Sequence, residues 1–365
     1  MEVKLRFFNY ETYKKGIVVE NDDYGIAAWC MEEPLRKLFL SNPHLTDYSK
    51  PFLSLAIADG IVAGRGICFP TLIKIDNEFF AAKGGSSLAV EERYWHDAVG
   101  MDIVACGLTN VVWDYDLSAG ISKMAWPLYK AIRFARLSFP LLWQPRHSSF
   151  LVKKMGLKGF PMKAVSFCAD LVLRPFIAVC NLRSKCLSRR FVVEELATVP
   201  DWVDSIVLDD GHKYMEVHDH RWMQWVLENR FSSNPRDSQH FFAIFAKDDR
   251  RPLGFFMTKE RNKSLPEHHI DNVCFGSVIE WGTVDEGLLN EAQINKIALS
   301  HFSKSVDIAE IATADDAVLK RLKRLGFVRH GDATIVFKDH TKVHKDANDI
   351  SLWRVRLGYA DTPFY

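Results

Sequence analysis

Residues 90–100 read VEERYWHDAVG, where an extended apolar segment gives way to a helical one. At such a corner, successive backbone N–H groups project from a helix N-terminus and, with the helix dipole, can cradle a phosphate. This run is bulkier than a glycine-rich phosphate loop, and Asp97 places a negative charge where the anion would sit. Two readings stand at this point: a weakened phosphate cradle, or a plain strand-to-helix corner. Carboxylates lie close by. Glu91 and Glu92 end one extended segment, and Asp114 and Asp116 end the next. A positioned carboxylate is a general base, while an unpositioned one is a solvated strand-end acid. Strand alternation puts Asp114 and Asp116 on one face and Glu91 and Glu92 on opposite faces.

Two further groups invite a chemical reading. From Leu117 to Ala169 there is no acid, while Lys123, Lys130, Arg133, Arg136, Arg146, Lys153, Lys154, Lys158 and Lys163 alternate with Trp126, Phe134, Phe139, Trp143 and Phe150. That pattern suits phosphates or a peripheral membrane contact, or else a solvated helix whose aromatics point inward. His218 with His220, and His268 with His269, are short-range pairs. Zinc takes three or four tetrahedral ligands, and two histidines two apart on a helix face different ways, so no metal is expected.

The elements that would position these residues recur in order. FLSLAIA (52–58), the turn Asp59-Gly60 and IVAGRGICFPTLIKI form a hairpin. After Asp76-Asn77, FFAAKGGSSLAV leads into the opening run. Ala98 to Leu108 reads as a helix, 110–116 as a strand, and a second helix opens at Gly120 and Ser122 with Met124, Leu128 and Ile132 on one face. LSFPLLWQP closes this half as a strand. In the second half, 240–247 and 253–260 form a hairpin, 273–281 a strand, and NEAQINKIALSHF a helix with Ile294, Ile297, Ala298 and His301 on one face. A strand (306–314) and a helix capped by Asp315 or Asp316 follow, then Gly326 and a final strand. Residues 190–235 read as mostly helical. The fold class is mixed α/β, mostly antiparallel sheets with flanking helices. It falls in two similar units, 1–185 and 186–365, with the junction near the basic stretch 181–190 between two apolar strands.

Composition narrows the setting. The 47 basic and 46 acidic side chains nearly cancel, so net charge gives no footprint for nucleic acid. The start of the chain lacks a signal-peptide pattern, and no uninterrupted apolar run approaches the ~20 residues that cross a bilayer. Seven scattered cysteines without a C-x-x-C pair suggest buried thiols in a reducing cytoplasm.

The element order and two spacings resemble the GNAT superfamily of acyl-CoA N-acyltransferases, over roughly 50–135 and 240–338. The family loop V-x-P-x-x-R-x-x-G-x-G falls on Val90, Glu92, Trp95, Ala98 and Gly100. The valine and last glycine match; glutamate, tryptophan and alanine replace proline, arginine and the first glycine. The family helix N-x-x-A-x-x-x-Y-x-x-x-G-F falls on Ser122, Ala125, Tyr129, Arg133 and Phe134. In the second half the corresponding residues are Asp315, Val318, Leu322, Gly326 and Phe327, without the tyrosine, and no loop of the right spacing follows Trp281.

The resemblance implies acetyl-CoA or another acyl-CoA as cosubstrate, held at Val90, Trp95, His96, Asp97, Ala98, Val99, Gly100 and Ser122. It implies Tyr129 as the acid that protonates the leaving thiolate, a role a phenol of pKa about 10 suits. A strand-end carboxylate, Glu92 first, would deprotonate the amine. The second unit would wall the acceptor cleft and bind no CoA. The arrangement is also similar to polysaccharide-associated GNAT-like proteins, which implies an amino sugar or cell-surface polysaccharide precursor as acceptor, and more distantly to Fem-type aminoacyltransferases. A non-catalytic scaffold is the alternative. It requires the Trp95 indole to fill the pyrophosphate position.

Overall fold

The computed structural model describes residues 2–15, 29, 33–109, 113–121, 123–148, 159–229, 237–265, 270–360 and 363. The first unit comprises β1 (Val3–Asn9), α1 (Tyr10–Lys15), α2 (Glu33–Leu40), β2 (Pro51–Ala58), β3 (Ile61–Ile75), β4 (Glu78–Val90), α3 (Val99–Thr109), β5 (Tyr115–Ala119), α4 (Trp126–Ala131) and β6 (Ala135–Pro145). The long helix α5 (Gly159–Ser188) leads to β7 (Val192–Leu196), α6 (Val203–Leu208), β8 (Tyr214–Glu216) and α7 (His220–Glu228). Then β9 (Ser238–Phe245), β10 (Pro252–Leu265), β11 (Ile270–Thr283), α8 (Glu291–Ala298), β12 (Ile308–Ala312), α9 (Asp316–Lys323) and β13 (Val328–Asp339) repeat the order found from β2 to β6.

Local chemistry accounts for most of these boundaries. Asp59 and Gly60 both take positive φ, 51° and 78°, the geometry that lets a two-residue turn follow the twist of its strands. Asn290 caps α8 by accepting from the Gln293 amide, and Gln293 returns the bond to the Asn290 amide. Asp315 caps α9 by accepting from Ala317 and Val318. Buried Ile294, Ile297 and Ala298 give α8 its core face.

One sheet of thirteen strands joins the two units, in the order β1-β2-β3-β4-β5-β13-β6-β12-β11-β10-β9-β7, with β8 on β3. At its centre the units interlock. β13, the last strand of the second unit, lies between β5 and β6, and β6 lies between β13 and β12. The side chains of β6 divide accordingly. Leu137 and Phe139 are buried with Leu117, Ile335 and Phe337, while Trp143 is buried with Phe275 and Ile308. A fully buried Leu or Phe stabilises by roughly 1.5–3 kcal/mol, so this strand contributes to both cores.

Four sequence expectations shift. The strand expected at 110–116 is observed at Tyr115–Ala119, where β4 and β13 offer it partners; residues 110–112 lie outside the described residues. The second helix is short, with Pro127 in its first turn and Arg133 just beyond it at φ 63°, and Met124 is exposed. The basic stretch 181–190 does not lie between two strands, because its first part ends α5. That helix escaped periodicity because its exposed side is apolar while Asp170, Asn181 and Ser184 lie on its packed side. Residues 192–228 hold two strands as well as two helices.

Candidate active site

β4 and β5 run parallel through three partners only: Ala82 with Tyr115, Lys83 with Asp116, and Gly84 with Leu117. Beyond Gly84, β4 stays on β3 as far as Val90, and β5 stays on β13 as far as Ala119. The two strands therefore part, and the gap is a cleft of about 580 Å³, a size that suits a small ligand. Ile103 and Val104 of α3 line one side, and Ala125 and Tyr129 at α4 line the other.

At the point of divergence the backbone is bare. The Gly85 amide donates to Ser118 Oγ at 3.0 Å. A Cβ on Gly85 would stand 2.7 Å from that oxygen and 3.6 Å from the Tyr129 hydroxyl. Tyr129 is 7% exposed, and its ring meets Phe134 edge-on at 5.0 Å. A phenol is thus fixed beside the gap between the strands, where a ligand laid between them would pass.

Charge collects in the same cleft. Asp116 has Lys83 Nζ at 3.2 Å on one oxygen and His340 Nε2 at 3.0 Å on the other. Burial opposes the charge on Lys83, but Asp116 and the neighbouring Cys68 outweigh it, and the pKa of the amine is raised. Arg261 and Lys263 enter from β10 of the second unit. Arg261 pairs with Glu310 at 3.0 Å. Lys263 lies 5.4 Å above the Phe275 ring, and burial, with Arg261 beside it, lowers its pKa to about 8. Four cationic side chains, Arg65, Lys83, Arg261 and Lys263, line the cleft against one carboxylate, Asp116. Such a lining favours an anionic ligand.

The expected residues separate. Tyr129 lines the cleft. Val90 ends β4, and Glu92 sits on the outer surface in a short 3-10 turn that is not part of the cleft lining. His96, Asp97 and Ala98 are exposed, Val99 is buried, and Gly100 faces Leu128. Ser122 lies outside the described residues. Trp95 is 50% exposed, and its indole donates to Val90 O at 2.9 Å. It does not line the cleft. Val99 and Gly100 open α3, and the first amides of a helix have no intrahelical acceptor. In the sequence Lys83, His340, Arg261 and Lys263 carry no catalytic motif, and Asp116 is one strand-end acid among several. Basic residues at 259, 261 and 263, all on one strand face, were the available signal.

The second unit has a matching divergence that its own chain fills. β11 and β12 also pair through three residues, from Phe275–Ile308 to Ser277–Glu310. Past them, the segment 353–358 lies between the strand ends. The Gly358 amide donates to Ile279 O at 2.9 Å. Arg356 bonds Glu291 at 2.6 Å, with its guanidinium 4.0 Å above the Trp281 ring. Arg354 bonds Glu280 at 2.7 Å. Near the start of α8 a pocket of about 490 Å³ is lined by Asp209, Asp210, Glu286, Glu291 and Asp315 against Arg354, an acidic balance that repels phosphate. The histidine pairs have separate fates. His218 is buried against Glu280, His220 bonds Asp204, and His268 and His269 lie outside the described residues.

No protein-family profile and no curated protein sequence matches the chain. Solved structures do match its shape. A GCN5-related N-acetyltransferase from Anabaena variabilis ATCC 29413 superposes with a TM-score of 0.55 at 9% identity, over 93% of this chain and 73% of that one. Saccharomyces cerevisiae N-myristoyltransferase, solved with bound myristoyl-CoA and inhibitors, superposes with a TM-score of 0.57 at 8% identity, over 92% of this chain and 80% of that one. The fold is thus the mixed α/β GNAT fold. At these identities the likeness speaks to fold alone.

Proposed function

We propose that the chain is an acyl-CoA-dependent N-acyltransferase whose working cleft lies between β4 and β5. The observation that carries this reading is the divergence itself. Two parallel strands part beside a fixed phenol, with the first turn of α3 beyond the end of β4, and in the second unit the chain itself occupies the equivalent gap. The similar structures include an N-acetyltransferase and an enzyme crystallised with myristoyl-CoA. Acetyl-CoA is the proposed donor.

In the proposed reaction the amine nitrogen attacks the thioester carbon, the C–S bond breaks, and the departing thiolate takes the Tyr129 phenol proton. The proton lost from the amine passes to a carboxylate, directly or through one water. Asp116, inside the cleft, is better placed for this than Glu92 on the outer surface. Arg261 and Lys263 both line the cleft, and this cationic pair favours an acceptor carrying a phosphate or carboxylate, such as a phosphorylated amino sugar of a surface-polysaccharide precursor. The test is thiol release from acetyl-CoA across a panel of amines. Release with phosphorylated amino sugars above the rate with neutral ones is expected. Release at the blank rate with every amine would overturn the proposal.

A further inference from the structure

Helix α5 has two unlike faces. On one, Ile177, Cys180 and Ser184 are buried. On the same side, Asp170 accepts from the Ser148 amide at 3.0 Å and Asn181 accepts from Arg146 at 2.9 Å. At about 100° per residue, the opposite side presents Leu171, Val172, Val179 and Leu182, with Phe167 at its edge, all exposed, with Phe167 at 66%, Leu171 at 61% and Val172 at 75%. Only 11% of the most apolar eighteen-residue window of Lys163–Ser188 is buried, and the stretch is long and apolar enough to cross a bilayer. The charge at the border of this face, Arg174, is tied to Asp170 at 2.8 Å.

Charge identifies what covers the face. Lys163 precedes it, and Arg183, Lys185, Arg189 and Arg190 follow it. From Leu117 to Val193 the sequence contains one acid, Asp170. A second copy seated on this face by two-fold symmetry would set these basic ends against each other. An anionic surface would neutralise them. The helix does not cross the bilayer, because its other face is bonded to the fold through Asp170 and Asn181. We propose that α5 lies in the headgroup plane of an anionic lipid bilayer, with its apolar side chains immersed and its basic ends on the lipid phosphates. The apolar face and the basic rim support this independently of the acyltransferase reading.

Co-sedimentation of the full chain with vesicles tests it. Binding to phosphatidylcholine vesicles containing about a third phosphatidylserine should exceed binding to pure phosphatidylcholine by about tenfold or more, and should weaken with added salt. Leu171→Asp with Val172→Asp should lower binding by about tenfold or more, with melting temperature and elution volume unchanged. If that pair unfolds the chain, Arg189→Glu with Arg190→Glu, both surface positions, decides the matter by a similar loss. Three results would overturn the proposal: no binding to anionic vesicles, equal binding to both vesicle types, or a parent dimer that the apolar-face variant dissociates without any lipid binding.

Discussion

The Tyr129 hydroxyl stands 3.6 Å from the point a Cβ on Gly85 would occupy. Gly85 is not among the residues of positive φ, so a side chain there is opposed by occupied space and not by backbone strain. Gly85→Val must push Ser118 Oγ aside and narrow the gap, and is expected to raise the dissociation constant for acetyl-CoA by about tenfold or more, equivalent to about 1.4 kcal/mol. Calorimetric titration of the variant beside the parent checks this.

Removing only the Tyr129 oxygen should separate chemistry from binding. In Tyr129→Phe the ring keeps its edge-on packing with Phe134. Turnover should fall by about 10²- to 10⁴-fold, the range for a lost general acid, while acetyl-CoA affinity stays within about threefold. Initial rates of thiol release, with titration on the same sample, read both quantities.

The fold was more legible in the sequence than the site. Asp59-Gly60, Asn290 and Asp315 signal their turns and caps through local chemistry, which acts over a few residues and survives in one sequence. The Tyr129 helix was found by spacing. The interlock of β6 and β13 was not, because strand exchange depends on which apolar faces meet across nearly two hundred residues. Lys83, Asp116, Arg261 and Lys263 come from three strands in two units, and nothing local marks them as neighbours. The helix α5 was hidden for a different reason: its exposed side carries apolar residues and its packed side carries polar ones.

Lys263 supplies a pH test of acceptor choice. Its pKa is near 8 through burial and the nearby Arg261, so it is charged below that value and neutral above it. The KM for a phosphorylated acceptor should rise above pH 8, by at most about tenfold per unit. The KM for a neutral amino sugar should not follow, and Lys263→Met should make the two profiles parallel. Rate profiles with both acceptors measure this.

The filled second cleft makes a stability prediction. Glu280 is buried between His218 and Arg354. Burial raises its pKa, but Arg354 and His218 outweigh this and hold it at about 2. A carboxylate depressed in the folded state stabilises above its unfolded pKa, near 4.5, and that stability is lost as pH falls toward 2. Glu280→Gln leaves Arg354 without this counter-charge and should cost about 3–5 kcal/mol at pH 7, with a shallower decline in acid. Denaturant unfolding at several pH values checks both.

The account centres on one open cleft and one closed by the chain itself. Titration of the full-length protein with acetyl-CoA tests this most directly. The prediction is saturable binding at one site per chain. No heat with ligand at about 1 mM, from a sample shown to be folded, or two sites per chain, would contradict it.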